Sequence, residues 1–314
     1  MNVTAARLIE HGAPLQIVSV DLARAGPDDV LVEMAFGGIN PVDRYGAMGL
    51  TAPDGPLPRT LGTEGSGTVD GKAVLVHGSG VGTTRDGSWA SAAVVPRDSV
   101  TAVPDGVDLA RAASIGVAGA TAWNVVKEVA KTTAQDRVLV LGASGGVGGM
   151  IVSLAHSTGA AVWGQSGKQA NRGWISEMGA DEVVVCDVAE IATKASELSP
   201  TVVFDPLGGG FTGQAIRAMA EHGRLVLFGT SASVTGELPL QVVYRKGLTI
   251  YGYAGLTASQ QSLANAKIRA LRAVAEGAMK VSVSKTFPLA EVNEALSYQA
   301  ERAAPGKVVL DLRP

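Results

Sequence analysis

Apolar and polar positions divide the chain into zones with different periods. Between residues 30 and 95 the apolar residues come in short runs: Val30-Leu31-Val32-Glu33-Met34, Gly65-Ser66-Gly67-Thr68-Val69, Ala73-Val74-Leu75-Val76 and Ala92-Ala93-Val94-Val95. Gly, Asp, Asn and Pro separate them, and Gly37-Gly38-Ile39-Asn40-Pro41 breaks the first. Runs this short with turn signals this close predict strands of a small barrel or folded sheet. Near residue 108 the pattern changes. Asp108 predicts the cap of a helix through Ile115, and Ala120 to Lys131 predicts another.

From Arg137 apolar runs alternate with stretches of helical period. Strands are predicted at 138–141, 160–164, 182–186, 201–205, 224–228 and 248–252, with helices at 146–157, 169–178, 189–197 and 211–221. Such alternation predicts a doubly wound parallel sheet. A helical pattern from Ser259 to Glu276, a segment Val281–Lys285 and a strand Lys307-Val308-Val309-Leu310 follow. They continue neither zone and are expected to return to the N-terminal sheet, leaving the parallel domain as an insert with a cleft beside it, where ligands tend to sit.

The densest signal lies at 137–157. An apolar run, Val138 to Leu141, meets a glycine-rich turn, Gly142 to Gly149, and then Val147, Ile151, Leu154 and Ala155 at helical spacing. A strand, a bare turn and a helix start bring unpaired backbone N–H groups and a positive dipole end together, which suits a pyrophosphate. Gly142, Gly145 and Gly148 are spaced G-x-x-G-x-x-G, a variant of the common dinucleotide fingerprint.

Composition narrows the field. The 314 residues are 46% hydrophobic and 18% charged, enough for two modest domains with real cores. A formal charge of −3 offers no basic field for nucleic acid or an anionic membrane. No apolar stretch reaches membrane-spanning length, and no signal-peptide pattern opens the chain, so a cytoplasmic location is expected. Cys186 is the only cysteine, which excludes an internal disulfide and a multi-cysteine zinc lobe. It ends Val183-Val184-Val185 and is expected in a strand core. His11, His77, His156 and His222 form no metal-ligand pattern, and surface or supporting roles are expected for them. No catalytic metal is expected.

The residues after the second strand of the parallel zone are either a solvated helix start or a nucleotide-selecting cluster. Where NAD-binding domains place an acid for the ribose 2′-hydroxyl, this chain reads Gln165-Ser166-Gly167-Lys168, with Arg172 a turn later. A hydroxyl and two cations suit a 2′-phosphate, so NADPH is the expected cofactor.

These residues resemble a known family. The segments are Gly38-Ile39-Asn40-Pro41-Val42-Asp43, Leu61-Gly62-Thr63-Glu64, Ala118-Gly119-Ala120-Thr121-Ala122 and Gly142-Ala143-Ser144-Gly145-Gly146-Val147-Gly148. Phe204-Asp205-Pro206-Leu207-Gly208-Gly209, Gly223-Arg224-Leu225-Val226-Leu227-Phe228-Gly229 and Gly306-Lys307-Val308-Val309 complete the set. The chain looks like a zinc-independent medium-chain dehydrogenase/reductase of the quinone oxidoreductase type. The resemblance implies an α/β protein: a GroES-like β-rich catalytic domain from 1–117 and 258–314, and a Rossmann NADPH-binding domain at 118–257. It also implies hydride transfer from NADPH and a homodimer joined through the nucleotide domain. Zinc-dependent relatives place Cys and His where this chain has Asn40 and Thr63, and an amide and a hydroxyl are poor zinc ligands.

Without a metal the acceptor must be activated by its own conjugation: a quinone, an enone or an enoyl thioester. Asn40 and Tyr45 are the donors expected at the developing oxyanion. By resemblance Asn40 also lies near the nicotinamide. Asp43 either orders the loop or caps a turn, and Tyr45 either supplies a proton or is a cleft-wall aromatic. The resemblance sets Thr121 against the cofactor, Gly145, Gly146 and Val147 on its pyrophosphate, and Pro206 and Leu207 beside its riboses. Phe228 and Gly229 end a strand at the ligand-binding edge. Tyr251 and Tyr253 either line the cleft or, for Tyr251, fill a core. Gly78-Ser79-Gly80-Val81-Gly82 reads as a turn, since no helix follows it. An enoyl-thioester (acryloyl-CoA-like) reductase, a non-catalytic NADPH-binding protein and a methyltransferase are the competing readings.

Overall fold

The N-terminal third folds as antiparallel strands, as its short apolar runs require. The computed structural model describes residues 1–313. In order come β1 (Asn2–Leu8), β2 (Gln16–Asp21), β3 (Asp29–Gly38), β4 (Arg59–Thr60), β5 (Glu64–Val69), β6 (Lys72–His77), β7 (Ala92–Pro96) and β8 (Val100–Ala102). A second run follows: β9 (Arg137–Val140), β10 (Ala161–Ser166), β11 (Glu182–Val185), β12 (Val202–Asp205), β13 (Arg224–Leu227) and β14 (Thr249–Gly252). The chain closes with β15 (Val283–Pro288) and β16 (Lys307–Asp311). Two units result: Met1–Ala120 with Ser259–Ala275 and 281–313, and Thr121–Ala258 with Glu276–Lys280.

In the first unit β3 is the spine. It pairs antiparallel with β5, with β7 along its first half and with β16 along its second, through Val309↔Gly38 and Leu310↔Gly37. The C-terminal strand therefore completes the N-terminal sheet, whose order is β15-β16-β3-β5-β6-β8. Strand alternation turns Val32 and Met34 inward, where they pack with Ile39, Leu61, Val76, Trp89, Phe287 and Leu310. Each such fully buried side chain contributes about 1.5–3 kcal/mol.

The second unit is a parallel sheet in the order β11-β10-β9-β12-β13-β14. The order reverses at β9, and open α/β sheets bind ligands beyond the carboxyl ends of the strands at such a point. Leu139, Leu141, Val203, Ile216 and Leu225 form its core, with Cys186 buried just past β11. β14 is exposed along its whole length. Among the described residues no helix is long and apolar enough to cross a membrane.

Several element bounds differ from expectation. The helix expected from Asp108 is short, Leu109–Ala112. The stretches Ile115–Gly119 and Asn124–Val129 widen to π-type turns on either side of the α-helical Ala120–Trp123, so the helix expected over 120–131 starts earlier, at Ile115, and ends at Val129. The helix expected at 211–221 is Gly210–Ala218, because Ala220 N–H turns away to the Pro200 carbonyl. His222 therefore lies in a loop, with φ +58°. β10 runs two residues further than expected, so Ser166 ends the strand. The segment near 281–285 is a strand over Val283–Pro288. Tyr251 lies on the exposed edge strand and fills no core.

Candidate functional site

Asn40 precedes the helix Pro41–Ala47 and is 2% exposed. Pro41 presets the first helical turn, and the Asp43 carboxylate reaches back to accept from Asn40 N–H at 2.8 Å. The Asn40 side chain is held at both ends: Nδ2 donates to Glu64 Oε1 at 2.7 Å, and Oδ1 accepts from Lys307 Nζ at 2.6 Å. Lys307 also donates to Glu64 Oε1 at 3.1 Å and to the Ile39 carbonyl at 3.0 Å. Glu64 Oε2 accepts from Val117 N–H at 2.7 Å. Gly38 and Gly116 make room for this: a Cβ on Gly38 would stand 2.5 Å from Glu64 Oε1, and one on Gly116 3.0 Å from Oε2.

Asp43 Oδ1 accepts from both the backbone N–H and the hydroxyl of Thr63, each at 2.8 Å. Burial nevertheless pushes its pKa up to about 6, against those donors. Tyr45, two residues on, takes no part in the network among the described residues. Its half-buried ring lies under the Arg44 guanidinium, 5.1 Å from the centroid. The structure thus brings Asn40 and Asp43 together and leaves Tyr45 apart.

These residues do not fit a zinc ion. Both polar atoms of the Asn40 amide are committed, one of them to an ammonium, and the Thr63 hydroxyl is committed to Asp43. A divalent cation there would have to displace Lys307 and would find no thiolate or imidazole on Asn40 or Thr63.

In the second unit the turn after β9 is shaped for close approach. Gly142 has φ +58°, and a Cβ on Gly148 would stand 2.5 Å from the Gly142 carbonyl oxygen. Gly145 caps the 11-residue helix Gly146–His156 without a side-chain hydrogen bond, and the first intrahelical bond is Gly149 N–H to the Gly145 carbonyl. The amides of Gly146, Val147 and Gly148 therefore face outward at the positive end of the dipole, a cradle for a diphosphate. Gln165 props the turn: its Oε1 accepts from Gly142 N–H at 3.1 Å and its Nε2 donates to the Cys186 carbonyl at 3.1 Å.

Ser166 ends β10, Lys168 follows two residues on, and Arg172 opens the next helix, Arg172–Met178. Ser166 Oγ accepts from Lys168 N–H at 3.2 Å and from Asn171 Nδ2 at 3.1 Å, while Lys168 and Arg172 are exposed. Beyond β12, Asp205 Oδ1 accepts from the N–H groups of Leu207 and Gly208, and Oδ2 from the Thr212 hydroxyl at 2.6 Å. That turn brings Pro206 and Leu207 onto Gly142, and a Cβ on Gly229 would stand 2.7 Å from the Pro206 carbonyl oxygen. Phe228 and Gly229 line a hollow of about 390 Å³ with Leu227, Gly252, Tyr253, Ala254 and Thr257. Tyr253 Oη accepts from Asn124 Nδ2 at 2.8 Å, and burial raises its pKa. Thr121 sits three residues before Asn124, on the same side of the helix.

Glu64, Lys307, Gln165, Asn124 and Asn171 were not singled out by sequence reasoning. A charge at the head of a strand, as at Glu64 or Lys307, is the only available signal. Their pairing spans 243 residues and exists only in the fold.

Residues 146–272 match the family described as zinc-binding dehydrogenase. A quinone oxidoreductase of Pseudomonas aeruginosa is 26% identical over 318 residues, 96% of this chain and 97% of that protein. A mycocerosic acid synthase-like polyketide synthase of Mycobacterium tuberculosis is 27% identical over 95% of this chain. The chain spans 15% of that synthase's length, and the same share of its Mycolicibacterium smegmatis counterpart. Among solved structures, an NAD-dependent alcohol dehydrogenase superposes with a TM-score of 0.90 at 27% identity, covering 98% of this chain and 99% of that one.

Proposed function

We propose that the chain is a quinone oxidoreductase-like member of the medium-chain dehydrogenase/reductase family, an NADPH-dependent oxidoreductase that passes hydride to a quinone or α,β-unsaturated carbonyl without a catalytic metal. The observation that carries this reading is the Lys307 ammonium on Asn40 Oδ1, which fixes a neutral amide where a metal-dependent mechanism needs ligands. The catalytic domain is 1–117 with 258–314, and the nucleotide domain is 118–257.

Bound NADPH supplies the hydride. The amides of Gly146, Val147 and Gly148 would hold its diphosphate, with Gly145, whose N–H is taken by the Gly142 carbonyl, presenting its bare Cα; Thr121, Pro206, Leu207, Phe228 and Gly229 border the rest of the nucleotide. Ser166, Lys168 and Arg172, with Asn171, hold the 2′-phosphate by charge-assisted hydrogen bonds. Asn40 turns one Nδ2–H to Glu64 and keeps the other for the acceptor oxygen as charge develops there. Lys307 behind the amide polarises it in the direction that strengthens this donor. Asp43 orders the Asn40 turn, and the Tyr45 phenol supplies the proton that completes the reduction.

A second reading, an enoyl-thioester reductase, is favoured by the match of 95% of the chain to one stretch of a polyketide synthase. NADPH oxidation measured with 1,4-quinones, simple enones and crotonyl-CoA separates the two. Tight NADPH binding with no turnover on any of them would contradict both and leave a non-catalytic NADPH-binding protein. The protein works as a cytoplasmic homodimer in this proposal, supported by the exposed edge strand β14 and by Leu240 and Tyr244, 68% and 69% exposed on a neighbouring helix. Sedimentation showing a monomer at assay concentration would remove the dimer.

A further inference from the structure

Lys267 projects from the helix Gln260–Ala275 and is 3% exposed. Its Nζ donates to the His77 carbonyl at 2.7 Å. Among the described residues it makes no ion pair; Asp98 attracts it without touching it. An ammonium buried against one neutral carbonyl keeps two N–H groups and its charge uncompensated, and burial lowers its pKa to about 8.

The His77 Nδ1 is buried without a partner. Burial pushes the His77 pKa down to about 4, with Glu64 pulling it back and Lys267 pushing the same way as burial. Gly78 follows with φ +103°, and a Cβ there would make only ordinary contacts, with Gln260 Oε1 at 3.7 Å and Lys267 Nζ at 3.9 Å. An ammonium and the oxygen of a side-chain amide thus stand beside the bare Cα of Gly78. Gly78 opens the glycine-rich turn that the dinucleotide chemistry leaves unused.

We propose that Lys267 and Gln260, with its amide turned so that Nε2 donates, bind a single carboxylate group beside the bare Cα of Gly78. Glu64 and His77 are register partners across β5 and β6, so Gly78, which follows His77, continues the strand pair that carries Glu64. Resting on the reductase reading, the proposal makes the carboxylate part of the acceptor, which is then an anionic enone or quinone.

Acetate and bromide are the probes. Crystals soaked in sodium bromide are expected to show an anomalous peak beside Lys267 Nζ. Acetate is expected to raise the Tm of the wild-type protein and not that of Lys267→Met. Gln260→Glu, at an exposed position, brings its own carboxylate to an intact Lys267 and is expected to abolish the acetate response. In steady-state assays with NADPH, the wild type is expected to favour an enone acid over its methyl ester by about tenfold in kcat/KM, and both variants to lose that preference. An acetate response without acid preference would overturn the assignment to the acceptor and leave a site for a free anion. Absence of a bromide peak with equal acetate shifts in wild type and Lys267→Met would overturn the site itself. Loss of NADPH binding, or no turnover on any acceptor, would count against the reductase reading, while the bromide and acetate results still judge the site.

Discussion

Lys307 Nζ lies 2.6 Å from Asn40 Oδ1 although 267 residues separate the two along the chain. The last strand thereby sets the orientation of an amide near the start. Glu64, fully buried, completes the triangle. Lys307→Met would leave that carboxylate unpaired, and breaking a buried pair from one side costs about 3–5 kcal/mol. Urea unfolding is expected to show that loss, and Lys307→Met combined with Glu64→Gln to recover much of it. Additive losses in the double variant would contradict the coupling.

The two ends of the glycine turn should respond differently. Gly148→Ala places a Cβ 2.5 Å from a backbone carbonyl, whereas at Gly145 the nearest contact is 3.3 Å. Gly148→Ala is expected to weaken NADPH binding by at least about tenfold and to lower stability by roughly 1–3 kcal/mol. Gly145→Ala is expected to leave stability within about 1 kcal/mol. Calorimetric titration with thermal unfolding checks both, and equal effects would contradict the close-turn geometry.

How much of this was legible in the sequence varied with the period of the signal. The parallel strands are continuous apolar runs, and β9, β12 and β13 lie within a residue of expectation. β1 and β2 escaped because Asn2–Leu8 relies on small Ala and Thr residues, and Gln16–Asp21 is largely exposed. The helix Val292–Ala300 went unread as well. The π-type turns at 115–129 leave no mark that periodicity can detect. In the site, the glycine turn was visible because its chemistry is local. The Asn40–Glu64–Lys307 network was not, because strand pairing assembles it from three distant segments.

The cluster at the end of β10 predicts cofactor choice. Lys168→Glu is expected to weaken NADPH binding by about 10–100-fold and NADH binding far less, since the charge change acts on the 2′-phosphate. Equal losses for both nucleotides would place the phosphate elsewhere.

Asp43 predicts a pH dependence of stability. Its pKa is raised from 3.8 to about 6, so between those values the native state binds more protons than the unfolded chain. Its contribution is therefore greatest at low pH and is lost as pH rises through that window, by on the order of 3 kcal/mol. Asp43→Asn removes this slope. The stability difference between wild type and variant, measured by urea unfolding from pH 4 to 7, should shift against the wild type as pH rises and level off above about pH 6. A difference that is flat across the window would contradict the assignment.

The account turns most directly on NADPH oxidation by protein dialysed exhaustively against EDTA, followed with a quinone and an enone before and after zinc is returned. Full turnover that added zinc does not change is the predicted result. An inactive protein that zinc restores would contradict it.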